Sequence, residues 1–214
     1  MAQRPVFLTI NSAPFVKSET VEFKFFNGFS AAQKKRSIES LHAAFLSQNP
    51  ERRILEISSK SAVPLGIKLS AFNLQIVLPE SGQSTSVESA FQSSKVFDGG
   101  VQFVDLLDKS SREAKRDPRL KTSGQLTAFK FCNDEFPLEP KTYFYDWLYI
   151  NALYRQEDLA DEILSYDAFT DIEFNPKKSL NCQAKTAAIF VGLSRANLLK
   201  DAVSSKEDFL RIVY

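Results

Sequence analysis

Histidine, cysteine and long apolar runs are scarce in this chain of 214 residues, and each scarcity argues against a class of protein. His42 is the only histidine, which argues against a histidine-based catalytic triad and against a zinc site. Cys132 and Cys182 stand apart rather than in a C-x-x-C pair, so we expect two reduced structural thiols. No run approaches the roughly eighteen apolar residues of a membrane span, and no apolar stretch follows a basic start. We therefore expect a cytoplasmic protein without a membrane partner.

The charges are unevenly distributed, although the formal net charge is only +1. Residues 133–173 contain eleven acidic and two basic side chains, a net charge of −9, which leaves +10 for the rest of the chain. Basic clusters lie at residues 34–36, 52–53 and 109–121. Such clusters hold a pyrophosphate or follow a DNA backbone, but they are also typical of a solvated surface. The contacts with DNA or phosphate are predicted for Arg112, Lys115, Arg116 and Arg119.

The first sixty residues predict a small lobe that contains strands. Runs of β-branched and aromatic residues at Pro5–Ile10, Val21–Phe26 and Ile54–Ile57 have strand length. Ser30 is placed to cap a helix that continues to about Leu46. These elements predict a strand-helix-strand lobe.

The rest of the chain has mainly helical patterns. Helices are predicted at residues 101–107, 139–154, 157–164, 181–199 and 204–211, with one further strand at residues 74–78. The helix at 139–154 carries aromatic residues all around its axis, so it should be mostly buried. Residues 166–179 are too irregular for either periodicity.

The segment from Thr85 to Phe97 contains the best candidate for an active site. Read as one helix, it places Glu88, Gln92 and Lys95 at i, i+4 and i+7 on one face. A carboxylate, an amide and an amine on one stripe can supply acid-base, orienting and nucleophilic groups. A purely structural interpretation is also open, in which Thr85 and Glu88 form a capping box and Lys95 meets the negative end of the helix dipole.

The same segment resembles the signature of the NADAR family, roughly T-V-E-H-Y-Y-Q-A-x-K-F, with Glu88, Gln92 and Lys95 in register. Other motifs follow in the family's order. Leu69–Phe72 resembles its L-S-N-F, Glu113–Arg116 its E-A-K-R, and Asp146–Trp147 its D-W. Ser165–Phe169 resembles its S-P-Y-D-Y-Y, and Cys182–Gln183 resembles its G-Q-N. The resemblance covers about residues 62–199.

Departures from these motifs indicate a particular branch of the family. Ala71, Ser89 and Thr170–Asp171 replace residues of the family pattern, which argues against the branch that acts on riboflavin intermediates. The stretches 137–142 and 166–178, together with 145–153, resemble the subgroup acting as antitoxin to DarT-type DNA ADP-ribosyltransferases. The resemblance implies a hydrolase that removes ADP-ribose from guanine in DNA. It also implies a functional link to a DarT-type toxin and leaves direct contact with that toxin open.

The resemblance further implies an α+β, predominantly α-helical NADAR (YbiA-like) fold with a small N-terminal lobe that contains strands. Residues 1–60 would be an extension packed on a glycohydrolase domain at residues 61–214. No cofactor and no metal are expected. Two alternatives remain open at this point: an N-glycosidase of a ribosylamino-pyrimidine phosphate, and a non-catalytic antitoxin or adaptor that binds toxin or modified DNA.

We predict roles for the side chains in these motifs. Glu88 is the acid-base group, and Lys95 is either a nucleophile that forms a Schiff base with ribose or a cation that binds phosphate. Trp147 is either part of the core or a stacking surface for the ligand. Carboxylates at 166–179 suit ribose hydroxyls, but they are equally suited to turns that bond their own backbone. The substrate-binding residues predicted are Ser70, Phe72, Gln92, Trp147, Asp167, Asp171, Asn175 and Gln183.

Overall fold

The computed structural model of the protein describes residues 1–28, 30–79 and 81–214. The strands are β1 (Ala2–Thr9), β2 (Val16–Phe23), β3 (Ile54–Glu56), β4 (Gln75–Val77), β5 (Ser84–Ser86), β6 (Lys95–Phe97), β7 (Val101–Gln102), β8 (Leu126–Phe131), β9 (Asp134–Phe136) and β10 (Ala168–Thr170). The helices are α1 (Ala31–Leu46), α2 (Pro64–Lys68), α3 (Val87–Ser93), α4 (Ser111–Arg116), α5 (Arg119–Thr122), α6 (Tyr143–Tyr154), α7 (Glu157–Ile163), α8 (Gln183–Arg195), α9 (Leu199–Ala202) and α10 (Lys206–Val213). The expected mixture of helix and strand is confirmed, but helix does not dominate the chain by much.

The chain forms two compact units. The first contains Met1–Ser70 together with Gln156–Tyr214, and the second contains Ala71–Arg155. The first unit is built on a four-stranded sheet in the order β2-β1-β10-β3. β1 pairs with β2 along its whole length, and β10 lies between β1 and β3, antiparallel to β1 and parallel to β3. The N-terminal strands are therefore joined in one sheet by a segment from far along the chain.

The core of the first unit lies on the face of the sheet that packs against α1. Successive side chains of a strand point to opposite faces, whereas residues three or four apart share one side of a helix. The buried residues that meet here from β1 and α1 are Val6, Leu8, Ile38, Leu41 and Phe45. On the other face, the Thr9 hydroxyl donates to the carbonyl of Ala188 in α8 at 3.4 Å. The sheet is therefore covered by α1 on one face and by α8 on the other.

The second unit contains the hairpin β4-β5 and an antiparallel sheet in the order β7-β6-β8-β9. Gly99 and Gly100 connect β6 to β7 with φ angles of +71° and +77°, a conformation that glycine adopts without a steric cost. This turn brings Val101 opposite Phe97. The predicted helix at 101–107 is therefore wrong, because its first residues form β7 and Val104–Asp108 is only a 3-10 segment.

Aromatic side chains from α6 form the base of the second unit. Ten of the twelve residues of α6 are buried, which confirms the prediction of a buried aromatic helix. The ring of Phe144 lies 4.9 Å from that of Phe129 in β8 and 4.8 Å from that of Phe136 in β9. Phe91 of α3 packs on the same ring at 6.1 Å. Helix α3 is therefore held against α6 and the sheet by a continuous aromatic cluster.

Most elements predicted for the first unit are present, with shifted ends. Ser30 caps α1 as expected, since its hydroxyl oxygen accepts a hydrogen bond from the N–H of Gln33 at 3.3 Å. β2 begins at Val16 and ends before Phe25, because its pairing with β1 rather than its apolar run sets its length. β10 lies inside the segment predicted to be irregular. A strand of three residues is too short to show the alternation of apolar and polar residues by which strands are predicted, and β10 depends on β1 and β3 for its hydrogen bonds.

The structure also describes the apolar helices and the two cysteines. Within residues 1–28, 30–79 and 81–214, no helix combines the length and apolarity needed to cross a membrane. Cys132 is exposed and Cys182 is buried, and the two are not joined to each other in a disulfide.

Candidate active site

Residues 71–74 fix the start of α3. The carbonyl of Ala71 accepts a hydrogen bond from the N–H of Glu88 at 2.9 Å, and the carbonyl of Leu74 accepts one from the N–H of Val87 at 2.9 Å. Two of the backbone donors that a helix leaves unpaired at its first turn are satisfied in this way. The backbone position of Glu88 is therefore set by residues 71–74, which precede the hairpin β4-β5.

Helix α3 is capped by Ser86 and not by the predicted capping box. The Ser86 hydroxyl oxygen accepts a hydrogen bond from the N–H of Ser89 at 3.0 Å. The Thr85 hydroxyl instead donates to the carbonyl of Leu107 at 2.8 Å. The capping box predicted for Thr85 and Glu88 is therefore wrong.

Lys95 does not belong to the helix of Glu88 and Gln92. Helix α3 ends at Ser93 and Lys95 opens β6, where it lies opposite Phe129 of β8. The prediction of one helix from Thr85 to Phe97 is therefore wrong, because strand pairing overrides the local pattern. The Lys95 amine nevertheless lies 5.2 Å from the centroid of the Phe91 ring and interacts electrostatically with Glu88.

Glu88 is a buried carboxylate with a donor at each oxygen. Its Oε1 accepts a hydrogen bond from Nε2 of Gln92 at 2.8 Å, and its Oε2 lies 3.5 Å from Nζ of Lys115. The Glu88 side chain is only 7% exposed, and a buried charge needs such partners. Amide N–H and ammonium groups donate and do not accept, so the arrangement fits the ionised carboxylate.

Lys95 is surrounded so that its amine loses its proton more readily than usual. Burial lowers the pKa of Lys95, and the nearby positive charge of Lys115 lowers it further. The negative charge of Glu88 opposes both effects without cancelling them. A lowered pKa increases the fraction of neutral amine near neutral pH, which is the nucleophilic form.

Among the described residues of the second unit, 71–79 and 81–155, two buried polar side-chain atoms have no hydrogen-bond partner. They are Oε1 of Gln92, an acceptor, and Nε1 of Trp147, a donor. Gln92 is 7% exposed, and the Trp147 ring packs on Phe136 with the centroids 4.9 Å apart. Leaving such groups unpaired costs about 1–3 kcal/mol each. Both atoms are thus suited to a ligand that supplies the missing partners.

Lys115 lies at this site beside Glu88, and its predicted contact with DNA or phosphate stays a prediction. It is part of α4, whose first turn carries a capping box of Ser110 and Glu113. Its ammonium lies 5.0 Å from the centroid of the Phe72 ring as well as 3.5 Å from Glu88. Phe72 and Lys115, both predicted as binding residues, are therefore brought together with Glu88.

The remaining cations of residues 109–121 differ in their surroundings. Arg119 forms ion pairs with Asp105 at 2.7 Å and with Asp117 at 2.8 Å. Its charge is therefore neutralised within the protein. Arg112 and Arg116 are exposed and have no ion-pair partner in the part of the chain that the structure describes.

Other predicted binding residues belong to the first unit. The Ser70 hydroxyl is buried and donates to the carbonyl of Ile67 at 2.9 Å. Asp167 lies 3.5 Å from the guanidinium of Arg52. These contacts hold the local chain in place, and the binding roles of both residues stay predictions.

The acidic loop after β10 forms the turns that were considered as the alternative to ligand binding. Asp171 Oδ1 accepts hydrogen bonds from the N–H groups of Glu173 and Phe174 at 3.0 and 3.2 Å. Asn175 Oδ1 accepts one from the N–H of Lys177 at 3.0 Å. Their binding roles also stay predictions, since these bonds leave further acceptor positions on each side chain.

Gln183 and Asp171 are brought together at the start of α8. Nε2 of Gln183 donates to the carbonyl of Ile57 at 2.7 Å, and the Gln183 side chain also hydrogen-bonds to Asp171. Burial, followed by the nearby carboxyl of Glu56, raises the pKa of Asp171 to about 8. Because Asp171 keeps partial exposure, it can exchange a proton with solvent near neutral pH.

The sequence interpretation missed a buried network in the first unit around Glu56. Its carboxyl accepts hydrogen bonds from the hydroxyls of Ser58 and Thr170 at 2.7 and 2.6 Å and from the N–H of Ile172 at 2.9 Å. Burial raises the pKa of Glu56. His42 bonds to the Thr170 hydroxyl at 2.8 Å, and burial lowers its pKa to about 4. The signal in the sequence was a glutamate inside the apolar run Ile-Leu-Glu-Ile.

Comparison with known proteins places the chain in a family. A family model described as DarT1-associated NADAR antitoxin matches residues 2–214. A search of curated proteins gives no match. The matched range includes the segment 86–97, which contains Glu88, Gln92 and Lys95. The chain belongs to the family of DarT1-associated NADAR antitoxins.

Proposed function

We propose that this antitoxin is a hydrolase that cleaves the N-glycosidic bond between ADP-ribose and a guanine base in DNA. The observation that supports the proposal is the electrostatic interaction of Lys95, whose pKa is lowered by burial, with the buried carboxylate of Glu88. Removal of ADP-ribose reverses the modification made by a DNA ADP-ribosyltransferase, which is a direct way to act as its antitoxin.

The reaction defines what the site must provide. When the bond between C1″ of the ribose and the guanine nitrogen breaks, positive charge develops on the sugar and electrons move into the purine. The site needs a group that attacks or stabilises C1″ and donors for the leaving base. Lys95 attacks C1″ with the help of Glu88. The proton that Glu88 takes from Lys95 is then donated to the leaving base.

Lys95 is the proposed nucleophile. Its neutral amine attacks C1″, the bond from C1″ to guanine breaks, and guanine takes up a proton. The ribose ring then opens, as the bond from C1″ to the ring oxygen gives a hydroxyl and C1″ becomes the carbon of a Schiff base with Nζ. Water adds to this carbon, and expulsion of the amine releases ADP-ribose and regenerates Lys95.

Glu88 is the proposed acid-base group for these steps. In the ionised form that its two donors fit, it accepts the proton that Lys95 loses on attack, passes this proton to the leaving guanine and, ionised again, later activates the water. Lys115 is a positioning residue, because it holds one oxygen of Glu88 and lowers the pKa of Lys95. The same cation thus holds the carboxylate in place and favours the neutral amine.

The unpaired atoms of Gln92 and Trp147 are proposed to recognise the bound nucleotide. Oε1 of Gln92 accepts from an N–H of guanine or a hydroxyl of ribose, and Nε1 of Trp147 donates to a carbonyl or phosphate oxygen. Each bond removes the cost of a buried unpaired polar group, so it favours the bound state.

The test is turnover of an oligonucleotide that carries ADP-ribose on one guanine. We expect release of ADP-ribose and restoration of the unmodified oligonucleotide, both measured by mass spectrometry. A folded protein that releases no ADP-ribose from this substrate but binds the toxin would indicate a non-catalytic antitoxin. Turnover of a ribosylamino-pyrimidine phosphate alone would place the activity in the riboflavin-related branch.

A further inference from the structure

Four cations lie over two phenyl rings in the first unit. The cationic groups of Arg4 and Lys34 lie 5.9 and 5.8 Å from the centroid of the Phe25 ring. Those of Lys24 and Arg36 lie 5.2 and 4.1 Å from the centroid of the Phe26 ring. We call these six residues the Phe25–Phe26 cluster.

Three separate segments build this cluster. Arg4 lies in β1, the rings and Lys24 follow directly after β2, and Lys34 and Arg36 lie near the start of α1. Both rings are only partly buried. The pairing of β1 with β2 and the packing of α1 on their sheet therefore concentrate cations and aromatic surface at one place.

The rings hold the cations without neutralising them. A phenyl ring attracts a cation through its quadrupole and carries no formal charge. One cation of the cluster has an acidic partner, since Lys34 lies 3.2 Å from Glu173. Lys24 and Arg36 are exposed, and neither has an ion-pair partner among residues 1–28, 30–79 and 81–214. Their charge is available to an anion.

The cluster differs from the basic segment 109–121 in the surroundings of its cations. There, Arg119 is neutralised by two aspartates and Lys115 lies against Glu88. Arg112 and Arg116 remain without an ion pair in the described ranges, as do Lys109 and Lys121 of the same segment. That segment also offers less aromatic surface beside its unpaired cations, because the described rings there lie under Lys115 and Arg119.

We propose that the Phe25–Phe26 cluster binds single-stranded DNA. Lys24 and Arg36 contact phosphates, and the guanidinium plane of Arg36, which lies over the Phe26 ring, stacks on a base. Unpaired bases offer their faces for such stacking, whereas bases within a duplex do not. The inference rests on the proposed function in one respect, since modified DNA is the substrate there, and it assigns the DNA strand a binding surface in the first unit.

The test measures binding of unmodified single-stranded oligonucleotide by fluorescence anisotropy over a range of salt concentrations. We expect the double variant Lys24→Ala/Arg36→Ala to bind at least about tenfold more weakly. The slope of log K against log salt should become less steep by about 1.4, since each phosphate contact of a single strand contributes about 0.7. Both residues are exposed, so the variant should fold normally. The matched control, Arg112→Ala/Arg116→Ala, removes the same charge from the other basic segment.

The outcomes separate this inference from the proposed function. The cluster is supported as a DNA surface if the Lys24/Arg36 variant alone binds more weakly with a reduced slope and its turnover of free ADP-ribosyl-guanosine is unchanged. Unchanged binding in that variant, or the same losses in the control alone, overturns it. Equal affinity of the wild type for duplex DNA overturns the stacking role, and loss of toxin binding without loss of DNA binding indicates an acidic protein partner instead. Failure of turnover in the wild type bears only on the proposed function, because this assay uses unmodified DNA.

Discussion

The substitution Glu88→Gln removes one negative charge from the proposed site and changes little else. Gln has nearly the same shape as Glu, and its carbonyl oxygen can still accept the hydrogen bond from Gln92. Because Ser86 caps α3, Glu88→Gln leaves the cap intact. Any effect on turnover therefore reports on the carboxylate and not on helix stability.

The expected cost in stability is small. The contact that Glu88→Gln weakens is the ion pair with Lys115 at 3.5 Å, and the Lys115 side chain is 55% exposed. Ion pairs with a partner in solvent contribute about 0.2–1 kcal/mol. Once the carboxylate is gone, the Lys115 ammonium can turn into water, so it does not become a buried unpaired charge. We expect the free energy of unfolding in urea to fall by less than about 1 kcal/mol.

The expected loss of activity is much larger. A positioned acid-base group contributes roughly a hundredfold to ten-thousandfold in rate. Release of ADP-ribose from a modified oligonucleotide should fall by at least about a hundredfold in Glu88→Gln. Glu113→Gln makes the same chemical change in the capping box of α4 and should retain wild-type turnover. If a folded Glu88→Gln protein turns over at nearly the wild-type rate, the assignment of Glu88 is wrong.

Three further changes test other parts of the site. Lys95→Arg cannot supply a neutral amine near neutral pH, so its turnover should be as low as that of Lys95→Ala. The control Lys130→Arg in β8 should stay active. Substantial activity in Lys95→Arg would rule out the covalent route. Lys115→Met removes a charge that lowers the pKa of Lys95, so the rising limb of the pH profile of kcat/KM should move to higher pH, and an unmoved limb would contradict that coupling. The pKa of Asp171, raised to about 8 from an ordinary 3.8, means that the folded protein holds a proton which the unfolded chain releases, so stability should fall as the pH rises from about 4 to about 8. Asp171→Asn should flatten this dependence in urea unfolding, and an unchanged slope would refute the shifted pKa.

Local sequence patterns predicted the elements that local interactions decide. The cap at Ser30 and the buried helix α6 were predictable because a hydroxyl before a helix and aromatics around a helix act within a few residues. β10 was not predictable in this way, since its three residues gain their hydrogen bonds from β1 and β3. The same reason explains Lys95, which pairs opposite Phe129 in β6 although the local pattern continues the helix.

The proposed site shows the same division. Glu88 and Gln92 were predictable as neighbours because four residues of helix place them together, and their side chains do bond at 2.8 Å. The contact of Lys115 with Glu88 joins α4 to α3, and no pattern within either helix specifies it. The neutralisation of Arg119 by Asp105 and Asp117 likewise depends on how the chain folds back. Charge counts along the sequence could not separate these cations from Lys24 and Arg36.

The most direct measurement of the proposed chemistry is borohydride trapping during turnover, followed by peptide mapping with mass spectrometry. Reduction of a Schiff base between ribose and an amine leaves a stable covalent adduct. With ADP-ribosylated guanine DNA as substrate, we expect this adduct on Lys95 in the wild type and its absence in Lys95→Arg. Continued release of ADP-ribose with no adduct on Lys95, or with an adduct on another lysine, would contradict the role of Lys95 as the nucleophile.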